Sequence, residues 1–335
     1  MNTYIFKVTV LFSLVISSTG YSLAFLDCEL ALKNLQKSPA PVRSLASIES
    51  LKIISYNLEN FKVAAHDRAP QQVNRRPIKD KAPDLIKLQK NLIESWDPDI
   101  LTAEEIFDEK SLNALISDRY VPVLIEGNDD ERHIGFIIKK DLPFYVSVET
   151  HENEMWQNRK LFSRDLPVLL LRTSPSSDPV HIVIGNHGKS PRGQGSEELR
   201  AAQYKRAAQI VEQYKRKYPH AGILLAGDFN ADTRSASDVA PIKASLNDPF
   251  ELKQIPLEDR ITHIYFPPRG PPETRQMDNI FVSPNLNDQI LSIRVIPYLD
   301  ENGQPKPVPK TFDERESNGS DHEAVEIVIS TKNSF

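Results

Sequence analysis

The chain has 335 residues, a net charge of −5 from 41 Lys and Arg against 46 Asp and Glu, and 25 prolines against 12 glycines. That length suits one large sheet domain, and the charge excludes a global basic footprint, leaving only a local basic groove for a polyanion. Cys28 is the sole cysteine, so no intrachain disulfide forms, and an oxidising compartment is compatible with the chain without stapling it.

Taken in order, residues 1–24 read as a secretory signal. Lys7 precedes the apolar run 8–16, and Ser22-Leu23-Ala24 is a small-x-small cleavage site. The apolar run is too short to span a bilayer comfortably, so a secreted or periplasmic protein is expected. Residues 25–50 read as a short helix and a Pro/Ser linker ahead of a single domain over 51–335. A β-branched strand at 51–57 ends in Asn57 and Glu59. The insert 62–82 is basic, with Lys62, Arg68, Arg75, Arg76, Lys79 and Lys81 against Asp67 and Asp80. It is either a solvated loop or an arm that contacts phosphates.

Pro83 opens a helix whose buried face is Leu85, Ile86, Leu88, Leu92, Ile93 and Trp96, and Asp97-Pro98 stops it. The strand 99–103 runs into Glu104-Glu105, and a helix follows at 111–116. Strands are predicted at 121–126, 134–139, 144–149 and 167–172. Another, 180–185, ends in Asn186-His187-Gly188-Lys189-Ser190. Ser196 reads as the N-cap of a helix to about residue 218, with Glu197 and Glu198 in its first turn and Leu199, Ala207, Ile210, Val211 and Tyr214 inward. The apolar strand 223–226 then runs into Gly227-Asp228-Phe229-Asn230. A Pro-rich hairpin is predicted over 262–273. Met277-Asp278-Asn279 leads into a strand at 280–283, and Gly319-Ser320-Asp321-His322 into the last, at 323–330. Strands interleaved with helices and hairpins predict a mixed α/β sheet fold.

Each polar cluster abuts a strand end, where sites are built. Glu59, Glu105, Asp228, Asp278 and Asp321, with Asn57, Asn186 and Asn230, are a hard-oxygen set. It suits Mg²⁺, with Mn²⁺ or Ca²⁺ as alternatives, and not zinc. His187 and His322 are the histidines embedded in these clusters, and a neutral His is the natural proton shuttle near neutral pH. Metal, carboxylates and two histidines together suit hydrolysis of a phosphate ester.

Six blocks in this order resemble the endonuclease/exonuclease/phosphatase family: Ser55-Tyr56-Asn57-Leu58-Glu59-Asn60, Ala103-Glu104-Glu105-Ile106, Gly185-Asn186-His187-Gly188-Lys189-Ser190, Gly227-Asp228-Phe229-Asn230, Met277-Asp278-Asn279-Ile280 and Ser320-Asp321-His322. The resemblance covers about residues 51–330 and implies a four-layered sandwich, two packed mixed β-sheets flanked by helices. It implies metal-site roles for Asn57, Glu59, Glu105 and Asp321. Asp228 and Asn230 would contact the attacking water and the phosphate, and Asp278 would support the catalytic His322. His187 matches the DNase-like and sphingomyelinase-like branches. Asn186, Lys189, Arg75 and Arg76 are candidates for the substrate phosphate. Glu104 departs from the pattern by replacing a usual glutamine. An extra acid there would either alter metal preference or point away.

The resulting expectation is a secreted, Mg²⁺-dependent phosphodiesterase acting on DNA or RNA, monomeric and without an obligate protein partner. The alternatives are a sphingomyelinase-like phospholipase C, with Tyr265 and Phe266 as membrane-entering tips, a phosphomonoesterase, and a non-catalytic binding protein on the same fold.

Overall fold

The computed structural model describes residues 48–64, 78–267, 269–300 and 302–332. The expected signal segment, Cys28, most of the linker, and Arg68, Arg75 and Arg76 of the basic insert lie outside them. No helix among the described residues is long and apolar enough to cross a membrane.

Two mixed sheets face each other. The larger has six strands: β1 (Ser50–Phe61), β2 (Ile100–Ile106), β3 (Tyr120–Ile125), β4 (His133–Lys139), β14 (Ile290–Ile296) and β15 (Ala324–Ser330), in the order β14-β15-β1-β2-β4-β3. The smaller has five: β5 (Tyr145–Glu149), β8 (Val168–Arg172), β9 (Pro179–His187), β10 (Gly222–Asp228) and β13 (Asp278–Val282), in the order β13-β10-β9-β8-β5. Two small hairpins stand apart, β6 (Met155–Trp156) with β7 (Arg159–Lys160), and β11 (His263–Tyr265) with β12 (Glu273–Arg275). Only β1–β2 and β9–β10 pair in parallel; every other neighbouring pair is antiparallel.

Alternation along the strands builds three cores. Ile53, Phe136, Leu169, Val183, Leu224, Ile280 and Ile327 meet between the sheets. Their chain neighbours point the other way: Ile54, Leu101 and Ile137 pack under α1 (Pro83–Trp96) and α2 (Glu109–Ala114). Ile182, Ile223 and Leu225 pack under α3 (Ser196–Lys217). The layers are therefore helix, sheet, sheet, helix. Each fully buried Ile, Leu or Val contributes about 1.5–3 kcal/mol, and a one-residue slip would turn a whole row of them outward, so the pattern fixes the register.

Three local expectations change. Ser196 is the first helical residue and not the cap; Gly195 precedes it in the left-handed region, and the Ser196 hydroxyl donates back to the Pro191 and Gly193 carbonyls. α2 begins earlier than expected because Asp108 caps it, accepting from Ser111 N at 2.8 Å. The edge strand β14 was not anticipated. Its apolar alternation is broken by a bulge between Ile290 and Ser292 that leaves Leu291 exposed.

At the end of β9 farthest from the polar clusters, His181 is buried among these apolar side chains with neither ring nitrogen partnered, its ring edge-on to Phe144. Burial pushes its pKa down to about 4. The unfolded chain takes up this proton near pH 6.5 and the folded chain does not until about pH 4, so stability falls as pH drops through that window. At pH 4.5 the loss is roughly 2–3 kcal/mol. Urea midpoints at pH 7 and 4.5 should show a smaller acid loss in His181→Phe than in the parent. An equal loss in both would contradict the account.

Candidate active site

The polar clusters occupy the positions at which the inter-sheet face runs out of apolar residues. Ile53 and Leu224 face the space between the sheets, and side chains two apart share a face. Asn57 and Asp228 therefore continue those rows at one rim, as Glu104 continues that of Ile100 and His187 that of Val183. Strand register aligns them further. Asp228 lies beside His187 on β9 and beside Asp278 on β13, while Asn57 lies beside Glu104 in the opposing sheet. Gly227 makes the row of the smaller sheet possible. Its φ is 149°, and a Cβ there would overlap the Asn186 carbonyl.

His322, just before β15 of the larger sheet, reaches across the gap. Its Nδ1 lies 2.7 Å from Asp278 Oδ2. Its Nε2 lies 3.8 Å from Asp321 Oδ1 and 4.0 Å from Asp228 Oδ2. The two residues meet between the sheets. Burial opposes a charge on His322, but the carboxylates of Asp278, Asp228 and Asp321 outweigh it and hold the pKa well above the ordinary value. The backbone on both sides is fixed. Tyr298 donates to the His322 carbonyl at 2.6 Å, and Thr262 Oγ1 accepts from the Met277 and Asp278 amides.

Asp228 is buried, and burial pushes its carboxyl up to about 7. Its Oδ2 accepts from Asn57 Nδ2 at 3.1 Å and Asn230 Nδ2 at 2.9 Å, and its Oδ1 from Asn230 N. Asn230 is in the left-handed region, so a turn and not a continued strand brings it back to Asp228. His187 Nε2 sits 3.6 Å from Glu105 Oε1 and 3.7 Å from Asp228 Oδ2, and burial, with Arg164 nearby, keeps it neutral.

The other acids split between two sides of the rim. Glu59 and Asn60 are both left-handed, which swings Glu59 away from Asn57 toward Lys81 Nζ (3.5 Å) and Arg315 Nη2 (3.9 Å). Burial, and then the charge of Asp321, push Glu59 up to about 7. Burial opposes ionisation of Asp321 too, but His322, His263 and Arg315 hold it well below the carboxylate range. Glu105, also left-handed, accepts from Asn60 N at 2.8 Å on its other oxygen. Two partly buried carboxylates that repel, with a third at the same rim, fit a hard divalent cation, which would relieve that repulsion.

Solved structures share this architecture. Truncated TDP2 from Caenorhabditis elegans superposes with a TM-score of 0.57 at 15% identity, over 84% of this chain and 98% of that one. D. rerio TDP2 complexed with single strand DNA product gives 0.52 at 17% identity, over 83% and 98%. An endonuclease/exonuclease/phosphatase family protein from Bacteroides thetaiotaomicron gives 0.53 at 16% identity, over 85% and 96%. The chain has the endonuclease/exonuclease/phosphatase fold. No family model and no curated protein matches the sequence.

On this endonuclease/exonuclease/phosphatase frame, Glu104 points inward. It is buried with one oxygen 3.4 Å from Ser55 Oγ and the other unpartnered, and burial, with Asp278 and Asp228 close by, raises its pKa well above the ordinary value. It lies beneath the site, where burial and its acidic neighbours favour its protonated form. Asn186 also turns from the rim. Its amide donates to the Asp228 carbonyl at 3.0 Å, bracing that strand end. Lys189 lies on the adjoining loop, with Nζ 3.5 Å from the Arg192 carbonyl. Arg75 and Arg76 lie outside the described residues. Of the basic insert, Lys62 is paired with Asp80 inside the insert, and Lys81 with Glu59 and the Gly319 carbonyl, which ties the insert's end to the rim. Tyr265 and Phe266 are partly buried against Arg275 and Arg315 and are not exposed tips.

Four residues at the rim escaped the sequence reading. Arg132 Nε approaches Glu105 Oε2 at 3.7 Å, and Arg164, buried, lies 3.5 Å from Asp129 and from the Gly188 carbonyl. Arg315 lies between Glu59 and Asp321. His263 packs its ring on His322. They come from loops, a three-residue strand and, for Arg315, the five-residue helix Phe312–Glu316, with no apolar run to mark them.

Proposed function

We propose that the chain is a divalent-metal-dependent phosphodiesterase whose substrate is a nucleic-acid strand, exported by its N-terminal segment. The observation that carries the reading is the His322–Asp278 pair facing Asp228 across the sheet gap, with Glu59, Glu105 and Asp321 beside it. In this reading Glu59 and Asp321, with Glu105 from the other side of the rim, would hold Mg²⁺, which would supply positive charge against the charge developing on the phosphate. Asp228, poised near neutral pH, takes the proton of the attacking water, and Asn57 and Asn230 fix its oxygens. The charged His322 faces the phosphate through Nε2, and Asp278 orients the ring. Neutral His187 contributes a second imidazole on the Glu105 side. Arg132 and Arg164 give that side the local positive charge a polyanion needs. The single strand DNA product held by the D. rerio neighbour supports a nucleic-acid substrate.

A second substrate reading has its own support. Leu299, Val308 and Phe312 are exposed apolar side chains. Val308 lines a groove of about 480 Å³ that also touches Asp321, His322 and Arg315. Such a surface suits a phospholipid. Incubating the protein with Mg²⁺ and, in parallel, single-stranded DNA, plasmid, RNA and sphingomyelin vesicles separates the two. Cleavage of nucleic acid that EDTA abolishes is the expected result. Cleavage of the lipid alone would overturn the nuclease reading, and inertness toward all four with Mg²⁺ or Mn²⁺ would overturn the phosphodiesterase reading.

A further inference from the structure

His263 has no part in the chemistry above, yet it lies against its centre. It forms a backbone bridge with His322, and the two ring centroids are 4.6 Å apart. Its Nε2 lies 3.6 Å from Asp321 Oδ2, while His322 Nε2 lies 3.8 Å from Asp321 Oδ1. The three side chains place one donor atom each within 4.8 Å of one another. Donors bound tetrahedrally at 2.0–2.1 Å stand roughly 3.3 Å apart, so small side-chain rotations would close the set. We propose that His263, Asp321 and His322 form a site for a borderline transition-metal ion, Zn²⁺ foremost, and that its occupation switches the centre off.

Two features support the site. Two imidazoles and one carboxylate select zinc-like ions over Mg²⁺ or Ca²⁺, which prefer all-oxygen sets. His322 is already held through Nδ1 by the Asp278 carboxylate, the support that metal-ligating histidines typically have, and this leaves Nε2 as the coordinating atom. The nearby Arg315 guanidinium, 3.9 Å from Asp321 Oδ2, opposes a cation, but it is bonded to Glu316 at 2.7 Å and flanked by Glu59 on its other side. Occupation displaces the His322 Nε2 proton to solvent and withdraws Asp321 from the hard cation. The inhibitory half of the proposal rests on the phosphodiesterase reading; the binding half does not.

The test uses the full protein freed of metal with EDTA. Co²⁺ is the spectroscopic probe and Zn²⁺ displaces it. The parent should give a visible Co²⁺ band of low-symmetry nitrogen and oxygen ligation, and Zn²⁺ should suppress hydrolysis at saturating Mg²⁺. His263→Phe keeps a ring against His322 and removes the ligand. Its Zn²⁺ affinity should fall at least about tenfold, and it should retain more of its own zinc-free rate at a given Zn²⁺ concentration. His263→Asn is the second variant, and unfolding midpoints check both. Absence of the band in the parent, or equal Zn²⁺ affinity in the parent and in whichever variant folds, overturns the site. A parent inert with Mg²⁺ that still binds Co²⁺ through His263 leaves the metal site standing and removes the catalytic reading. Hydrolysis with zinc inhibition unchanged in both variants does the reverse.

Discussion

His322→Ala is expected to lower kcat by on the order of a hundredfold or more. The ring bridges Asp278 at 2.7 Å and turns Nε2 toward Asp228 and Asp321, and those carboxylates keep it charged despite burial. Alanine removes both the positive charge facing the phosphate and a proton donor. It also leaves Asp278 buried without its counter-charge, which costs stability. Turnover and the unfolding midpoint therefore belong in one experiment, with His322→Gln as a less disruptive companion. Asp278→Asn should lose activity in the same direction and by less, because it removes orientation and charge but not the acting group. Normal kcat in His322→Ala, or a loss fully accounted for by unfolding, would assign the ring to packing.

Glu105→Gln should raise the Mg²⁺ concentration needed for half-maximal rate by about tenfold or more and lower the maximal rate. The substitution is nearly isosteric. A glutamine oxygen can still accept from Asn60 N, so the left-handed turn at the end of β2 is kept while the charge is lost. Mn²⁺ should recover part of the rate, since it binds oxygen and nitrogen donors differently from Mg²⁺ and tolerates a less ideal site. Full activity of the parent in excess EDTA would remove the metal from the chemistry altogether.

The sequence revealed most of this architecture for a physical reason. A strand packed on both sides is a continuous apolar run, so the polar residue that ends it stands out, and Asn57, Glu105, His187, Asp228 and Asp278 all do so. The two-sheet arrangement followed from the family resemblance, and the structure has it. Three things were not legible. Left-handed residues at Glu59, Asn60 and Glu105 redirect side chains that strand alternation would send elsewhere. Arg132 and Arg164 arrive from loops, and His263 and Arg315 from a three-residue strand and a five-residue helix, whose tertiary path no local pattern encodes. Whether Glu104 alters metal preference or points away stayed open because alternation alone does not tell which of two successive acids follows the inter-sheet row. The row of Ile100 and Thr102 settles it, once the core is known.

The centre is shared between two sheets that have no strand in common. His187, Asp228 and Asp278 belong to one, and Asn57, Glu105 and His322 to the other. Turnover is consequently a gauge of docking and not of secondary structure. In mild denaturant, where strands persist but packing loosens, hydrolysis should vanish before the far-ultraviolet circular dichroism changes. The His322–Asp278 contact acts there as a clasp across the seam. Because it raises the histidine's pKa, its contribution is fully present below the unfolded value near 6.5 and fades only as pH climbs through the folded one. On the alkaline side the clasp therefore weakens only as His322 itself loses its proton.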